Sequence, residues 1–168
     1  APQKGASPEQ IIMLDNQLCL WSDLLKQNTG KDITQLKHGG AAGGITAAMY
    51  ALLNAQLISG SEYCLTLSRF HDNLLQAGVV ITGEGKIDLQ SFYGKIPGTV
   101  ANLCQKHNVP VYAVVGLAEK QVLTRFDKVF IMSQYTRSIQ DSIKNAPHYL
   151  KIISQAIVDT LYLSAYSD

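Results

Sequence analysis

The run Val79–Asp88, followed closely by Gly94 and Lys95, constrains the fold and the site of this chain most strongly. Apolar, mostly β-branched residues end there in a glycine turn that carries two carboxylates and a lysine. In an open α/β sheet, ligands bind outside the carboxyl ends of the strands. Gly83 and Gly85 allow the backbone to approach a ligand closely, because no Cβ intervenes. The sequence therefore predicts, at this strand tip, a site for a phosphorylated or otherwise anionic ligand together with a cation.

Composition narrows the class of protein. The 168 residues are 46% hydrophobic and 16% charged, which is typical of a globular chain with a sizeable core. The net charge of +1 gives no support for a nucleic acid or an anionic membrane as partner. No apolar run approaches the roughly 18 residues of a membrane-spanning helix. The three cysteines lie far apart without metal-ligand spacing, so we expect reduced thiols and a cytoplasmic location.

Apolar spacing predicts an α/β fold. Gly78–Thr82 is apolar on both faces, which is typical of a central, parallel strand. Two further strands are predicted, Val109–Gly116 and Asp127–Met132. Helices are predicted at 8–28, Ile45–Leu57, Phe70–Gln76, Ile96–His107 and Ala146–Ala165. Ser7 and Gln10 form a capping-box pattern at the start of the first helix, and Gly30 is expected to end it. This order indicates a parallel, doubly wound portion of Rossmann or flavodoxin type, preceded by a mainly helical segment. A composition shift near residue 77 predicts domains at 1–76 and 77–168.

A glycine-rich stretch, His38–Gly44, precedes the second predicted helix. Free N–H groups and the helix dipole at a helix N-terminus favour a phosphate, with Gly40, Gly43 and Gly44 as the binding residues. A tight turn feeding a closely packed helix explains the same glycines about equally well. The stretch is neither a dinucleotide-binding fingerprint nor a P-loop.

The two carboxylates of the turn, Glu84 and Asp88, are four residues apart. Together they could hold Mg²⁺, or one of them could accept a proton from a hydroxyl. The alternative, that both are solvated loop carboxylates and one caps the next turn, is the more common situation for this spacing.

Two lysines and a serine complete the candidate site. Lys86 and Lys95 could place positive charge on phosphate oxygens, although most lysines in proteins are only solvated. Ser91 could bond a ligand, but a turn residue is the more common reading of that position.

Several motifs occur together and in order: Pro2–Pro8, Gly40–Gly44, Ile81–Asp88 with Gln90, and Gly94–Lys95. On these motifs the chain resembles the bacterial type I glycerate kinase family over essentially its whole length. It departs from the family pattern at His38 and Gly39, which open the glycine stretch, and at Lys86, where the family usually has arginine.

The resemblance implies ATP-dependent phosphorylation of D-glycerate with Mg²⁺. It implies that Glu84 and Asp88 are metal-ligand or base candidates, that Lys86 and Lys95 bind phosphate or carboxylate, and that glycine backbone cradles the ligand. The backbone candidates are Gly40, Gly43, Gly44, Gly83 and Gly85.

Family members are more than twice as long as this chain, and their opening Asp-Ser-Phe-Lys-Gly-Ser-like turn does not occur in it. We therefore expect the C-terminal part of a two-domain kinase: residues 1–76 from the end of its middle domain and 77–168 closing its nucleotide-fold domain. Such a piece should be inactive alone and need its missing N-terminal half or a second copy. The alternative is a non-catalytic α/β module that binds a small anion or a partner subunit.

Overall fold

The computed structural model describes residues 5–165, and the chain divides into two compact units between Ser59 and Gly60. In the first unit, two helices are present: α1 (Pro8–Thr29) and α2 (Ile45–Leu53). The helices of the second unit are α3 (Gly60–Leu67), α4 (Phe70–Leu74), α5 (Ile96–His107), α6 (Ile139–Lys144) and α7 (Ala146–Ala165). Its strands are β1 (Val80–Ile87), β2 (Val111–Ala118) and β3 (Lys128–Ile131).

Helix α1 begins and ends as its sequence predicts. The Ser7 side chain accepts from the Gln10 backbone N–H, and the Gln10 side chain accepts from the Ser7 N–H at 2.8 Å. These reciprocal bonds satisfy two helix-end donors. Gly30 ends the helix in the left-handed conformation, with φ 74°. The family-like residues Pro2–Lys4, just before this cap, lie outside the described residues.

The three strands form one parallel sheet in the order β1-β2-β3. Alternating side chains of β2 enter two cores: Val111, Ala113 and Val115 pack with α5, whereas Tyr112 packs with α7. Helices therefore cover both faces of the sheet, and the predicted parallel, doubly wound α/β class is confirmed.

Strand β1 differs from its prediction in two ways. It continues through the glycine segment to Ile87 instead of ending at Thr82, because residues 80–87 pair along the whole length of β2. Within the described residues it is also an edge strand, not a central one, and Ile81 is 52% exposed. Parallel pairing with β2 thus overrides the low strand propensity of the glycines.

Other bounds differ by one to four residues, including those of β2, β3 and the end of α4. Helix α2 ends at Leu53 rather than Leu57, since Asn54 takes a left-handed conformation with φ 56°. The compact units separate at Ser59, because Leu65 of α3 and Leu74 of α4 are buried in the same core as Ile87 of β1. The predicted domain bounds, 1–76 and 77–168, stay a prediction. The assignment of either part to a middle or nucleotide-fold domain stays a prediction.

Across residues 5–165, none of the helices combines the length and apolar character needed to cross a bilayer.

Candidate functional site

The candidate site stands at the carboxyl end of β1, where the sequence places Glu84, Lys86 and Asp88. Glu84 and Lys86 belong to the strand itself, and Asp88 follows it as the N-cap of a single 3₁₀ turn, Leu89–Phe92. The structure brings Ser91 and Lys95 to the same place, one from this turn and the other from the start of α5.

Glu84 is held through both of its oxygens. Lys95 Nζ donates to Glu84 Oε1 at 2.8 Å, and Ser91 Oγ donates to Glu84 Oε2 at 2.8 Å. The Glu84 side chain is 23% exposed and that of Lys95 is 40% exposed. The Glu84 carboxylate is thus held in place, while part of the Lys95 side chain faces solvent.

Lys86 is shared by two carboxylates. Its Nζ lies 3.2 Å from Asp88 Oδ2 and 3.0 Å from Glu119 Oε1. The remaining oxygen of each carboxylate is also occupied: Asp88 Oδ1 accepts from the Gln90 backbone N–H at 3.0 Å, and Glu119 Oε2 accepts from Gln121 Nε2 at 2.8 Å. Lys86 is therefore tethered to the ends of two neighbouring strands.

These contacts shift protonation equilibria in consistent directions. The hydrogen bond to Glu119, followed by that to Asp88, raises the pKa of Lys86. The hydrogen bond from Lys86 lowers the pKa of Glu119. Burial by itself would raise the pKa of Asp88, but the hydrogen bond and charge of Lys86 outweigh it, so that pKa is lowered. All three groups are charged at neutral pH.

Glu119 was not predicted from the sequence. It follows β2 directly, and its backbone N–H donates to the Ile87 carbonyl at 3.0 Å, which locks the two strand ends side by side. Lys86 and Glu119 are 33 residues apart in the chain, so no local motif joins them. The rule that located Glu84, that ligands meet the carboxyl ends of parallel strands, applies equally to the residue after β2 and would have found it.

Ser91 lies beneath the cluster rather than on its surface. It is fully buried, its hydroxyl donates to Glu84, and it accepts from the Asp88 backbone N–H at 3.2 Å. Helix α5 packs directly on this turn at Gly98, where an added Cβ would stand 2.2 Å from the Ser91 carbonyl oxygen. The missing side chain at Gly98 is what allows the turn to sit this close to the helix.

The two strand glycines have different surroundings. A Cβ on Gly83 would lie 2.8 Å from the Val114 carbonyl oxygen, so close packing against β2 already explains that glycine. A Cβ on Gly85 would meet nothing within 4 Å. The predicted backbone contact of these residues with a ligand stays a prediction.

The glycine-rich stretch lies in the other compact unit. Gly43 and Gly44 have φ values of 71° and 93°, and Ala42 shares this left-handed conformation with φ 50°. Gly40 and Gly44 line a pocket of about 440 Å³ together with Trp21. Their predicted role as a phosphate cradle stays a prediction.

The two predicted carboxylates, Glu84 and Asp88, do not form a binding site for Mg²⁺ in this structure. Each of the four carboxylate oxygens of Glu84 and Asp88 already faces a donor from the protein: Lys95, Ser91, Lys86 and the Gln90 N–H. Among residues 5–165, no group of three or more His, Cys, Asp and Glu side chains is arranged to hold an ion. This donor set does not fit a resident Mg²⁺, because each carboxylate already holds a lysine ammonium group that the ion would have to displace.

Comparison with known proteins identifies what the chain is similar to. Residues 1–162 match the sequence profile of the glycerate kinase family. A glycerate kinase of Halalkalibacterium halodurans is 43% identical over 115 residues, which are 68% of this chain and 30% of the relative. The glycerate 2-kinase of Escherichia coli is 42% identical over 115 residues, with the same coverage.

Two further relatives match almost the whole chain. A glycerate kinase of Haemophilus influenzae is 34% identical over 164 residues, 95% of this chain and 43% of the relative. A crystal structure from Salmonella typhimurium LT2, described as a glycerate kinase 2, is 36% identical with a TM-score of 0.62 and covers 98% of this chain and 43% of its own. The chain thus spans less than half the length of each of these relatives.

Proposed function

The chain belongs to the glycerate kinase family, and we propose on this premise that the protein phosphorylates D-glycerate at the expense of ATP. The observation that carries the proposal is the cluster at the end of β1, where Lys86 and Lys95 are each held by carboxylates and each remain partly exposed. Phosphoryl transfer depends mainly on positioning and on neutralising charge, and two oriented ammonium groups supply both.

The lysines would contact the transferred phosphoryl group or the glycerate carboxylate. Lys95 stands at the start of α5 and Lys86 near the end of β1, so the two ammonium groups approach the same strand end from different elements. A fixed ammonium group stabilises a developing negative charge without reorganising during the reaction.

Asp88 is the candidate that would accept the proton of the glycerate hydroxyl. Its side chain is 15% exposed, and the hydrogen bond and charge of Lys86 lower its pKa, so it is ionised at neutral pH. Each of its oxygens faces one donor, and a carboxylate oxygen keeps a second lone pair that can accept from the hydroxyl. Because the transition state of phosphoryl transfer is loose, a carboxylate of low pKa suffices to orient the hydroxyl and take its proton late. Glu84, which bonds directly to the Lys95 ammonium group, would serve to hold Lys95.

We propose that ATP and D-glycerate are bound with the help of backbone N–H groups, at Gly83 and Gly85 in the second unit and at Gly40, Gly43 and Gly44 in the first. The left-handed backbone at Gly43 and Gly44 supports this, since such turns direct successive N–H groups toward one point. Turnover is proposed to need further polypeptide, either the additional length that the relatives have or a second copy.

Two measurements on this chain test the proposal. Calorimetry would give its affinity for ATP in the presence of Mg²⁺, and a coupled assay would give the release of ADP that depends on D-glycerate. The variant Lys95→Ala removes a proposed contact, and Lys106→Ala, an exposed residue in the last turn of α5, is the matched control.

We expect Lys95→Ala to weaken ATP binding about five- to tenfold, the loss of one charge-assisted contact at a partly exposed site. Lys106→Ala should leave the affinity unchanged. The chain alone should release little ADP. Undetectable binding of ATP at millimolar concentration would contradict the proposal, as would equal affinities of the two variants for both ATP and D-glycerate.

A further inference from the structure

A continuous chain of hydrogen bonds links the backbone of Asp88 to the ammonium group of Lys95. The Asp88 N–H donates to Ser91 Oγ at 3.2 Å, and Ser91 Oγ donates to Glu84 Oε2 at 2.8 Å. Lys95 Nζ donates to the other oxygen of Glu84, also at 2.8 Å. The two carboxylate-bearing segments of the site are therefore joined through one serine hydroxyl.

The direction of every bond in this chain is fixed by chemistry. A backbone N–H can only donate, so the Ser91 oxygen must accept from Asp88 and send its single proton onward to Glu84. The ammonium of Lys95 also only donates. Glu84 thus accepts a hydrogen bond at each of its two oxygens.

We propose that Ser91 is a positioning residue that holds the Glu84 carboxylate in its orientation, and that through Glu84 it fixes Lys95 for the anionic ligand. The assignment of Lys95 to the ligand rests on the function proposed above. This role differs from the direct ligand contact expected from the sequence, because Ser91 is fully buried and its hydroxyl is used in both directions.

The packing around Ser91 makes its position rigid. Gly98 of α5 contacts the turn so closely that a Cβ there would stand 2.7 Å from Phe92 Cα as well as 2.2 Å from the Ser91 carbonyl oxygen. Loss of the hydroxyl would leave the Asp88 N–H and one oxygen of Glu84 without their partners in a partly buried place, and the serine is the group that satisfies both.

The test compares Ser91→Ala with Ser142→Ala in this chain. Ser142 is also a buried serine, but its hydroxyl donates to the Ile139 carbonyl at 2.9 Å within α6, away from the cluster. The ¹⁵N relaxation of the Lys95 ammonium group reports its order, amide hydrogen exchange at Asp88 reports the first bond, and calorimetry reports the affinity for ATP in the presence of Mg²⁺.

In Ser91→Ala we expect Lys95 to become disordered, Asp88 exchange to accelerate at least about tenfold, and ATP affinity to fall about five- to tenfold, as in Lys95→Ala. Ser142→Ala should change none of the three. In a Lys95→Ala background, Ser91→Ala should cause no further loss of affinity, because the two act in series. The proposal would be overturned if Ser91→Ala lowered the ATP affinity further in the Lys95→Ala background. It would also be overturned if Lys95 stayed ordered in Ser91→Ala.

A second variant covers the case in which Ser91→Ala does not fold. Glu84→Gln keeps the shape of the side chain but removes its charge and one acceptor, and it should release Lys95 to the same extent. An unchanged Lys95 ammonium in Glu84→Gln would also overturn the proposal. If the wild-type chain binds no ATP, the function proposed above fails, whereas the order of Lys95 still decides whether Ser91 positions it.

Discussion

Lys86 Nζ lies 3.0 Å from Glu119 Oε1, which joins the carboxyl ends of two parallel strands through a side-chain contact over 33 residues of sequence. The backbone makes the same connection, since the Glu119 N–H donates to the Ile87 carbonyl. The ammonium group is thus held where ligands meet parallel sheets.

The charged cluster should stabilise the fold over a defined pH range. The pKa values of Asp88 and Glu119 are lowered, so their contribution is complete above their unfolded values near 4 and is lost as pH falls through the folded values. The pKa of Lys86 is raised, so its contribution is complete below about 10.4 and is lost as pH rises through the folded value. Thermal unfolding of wild type and Lys86→Met between pH 3 and 11 measures this.

The difference in melting temperature between the two proteins should be constant between about pH 5 and 10 and should shrink at both extremes. The control Lys106→Met should show no such profile. A difference independent of pH would mean that Lys86 acts only through packing of its carbon chain.

Gly98→Ala should destabilise the second unit. The added methyl group would stand 2.2 Å from the Ser91 carbonyl oxygen, so the turn or the helix must move. We expect a loss of about 1–3 kcal/mol in the free energy of unfolding, measured with urea.

Gly60→Ala is the matched control, since a Cβ there meets nothing within 4 Å. A helical glycine replaced by alanine without strain gains a few tenths to about 1 kcal/mol. Equal stabilities for the two variants would show that the turn and α5 are not packed as described.

The three cysteines should react with a thiol reagent in two classes. Burial, followed by the charge of Asp127, raises the pKa of Cys104 to about 11, whereas Cys19 and Cys64 are exposed. Because the thiolate is the reactive form, Cys104 should react at least about 100-fold more slowly at pH 8. Spectrophotometric titration in buffer and then in denaturant measures this, and three fast thiols in buffer would contradict a packed core between α5 and the sheet.

Asp88→Asn should lower kcat in a catalytically active form of the protein by at least about 100-fold, the lower range for a lost proton acceptor. Lys106→Ala, on the exposed surface of α5, should leave kcat within about twofold. Steady-state kinetics with D-glycerate and ATP measures both, and similar rates for the two variants would make Asp88 a structural residue of the turn.

Structural features that depend on residues close together in the chain were predicted correctly from the sequence. The cap formed by Ser7 and Gln10 is confirmed, and the bounds of α5 and α7 agree with the predicted Ile96–His107 and Ala146–Ala165. The parallel sheet is confirmed as well. The helices depend on a capping pattern or a helical period, and the parallel strands on apolar runs, each visible in one window of sequence.

Features that depend on distant partners were missed. The extension of β1 through Gly85 to Ile87 depends on pairing with β2, and its edge position depends on strand order, which an apolar run does not encode. Glu119 joins the cluster only through that pairing. Ser91 is buried because its turn packs against Gly98. Nothing in the sequence indicates this contact, although the two residues are only seven positions apart.

The backbone hydrogen bond between Glu119 and Ile87 also bears on how fast the site can respond to a ligand. Strand ends bonded to each other and a turn packed under α5 hold Lys86 and Lys95 at this strand end before a ligand arrives. Loop closure takes microseconds or longer. Because the charges at this strand end are already in place, they do not depend on such a movement.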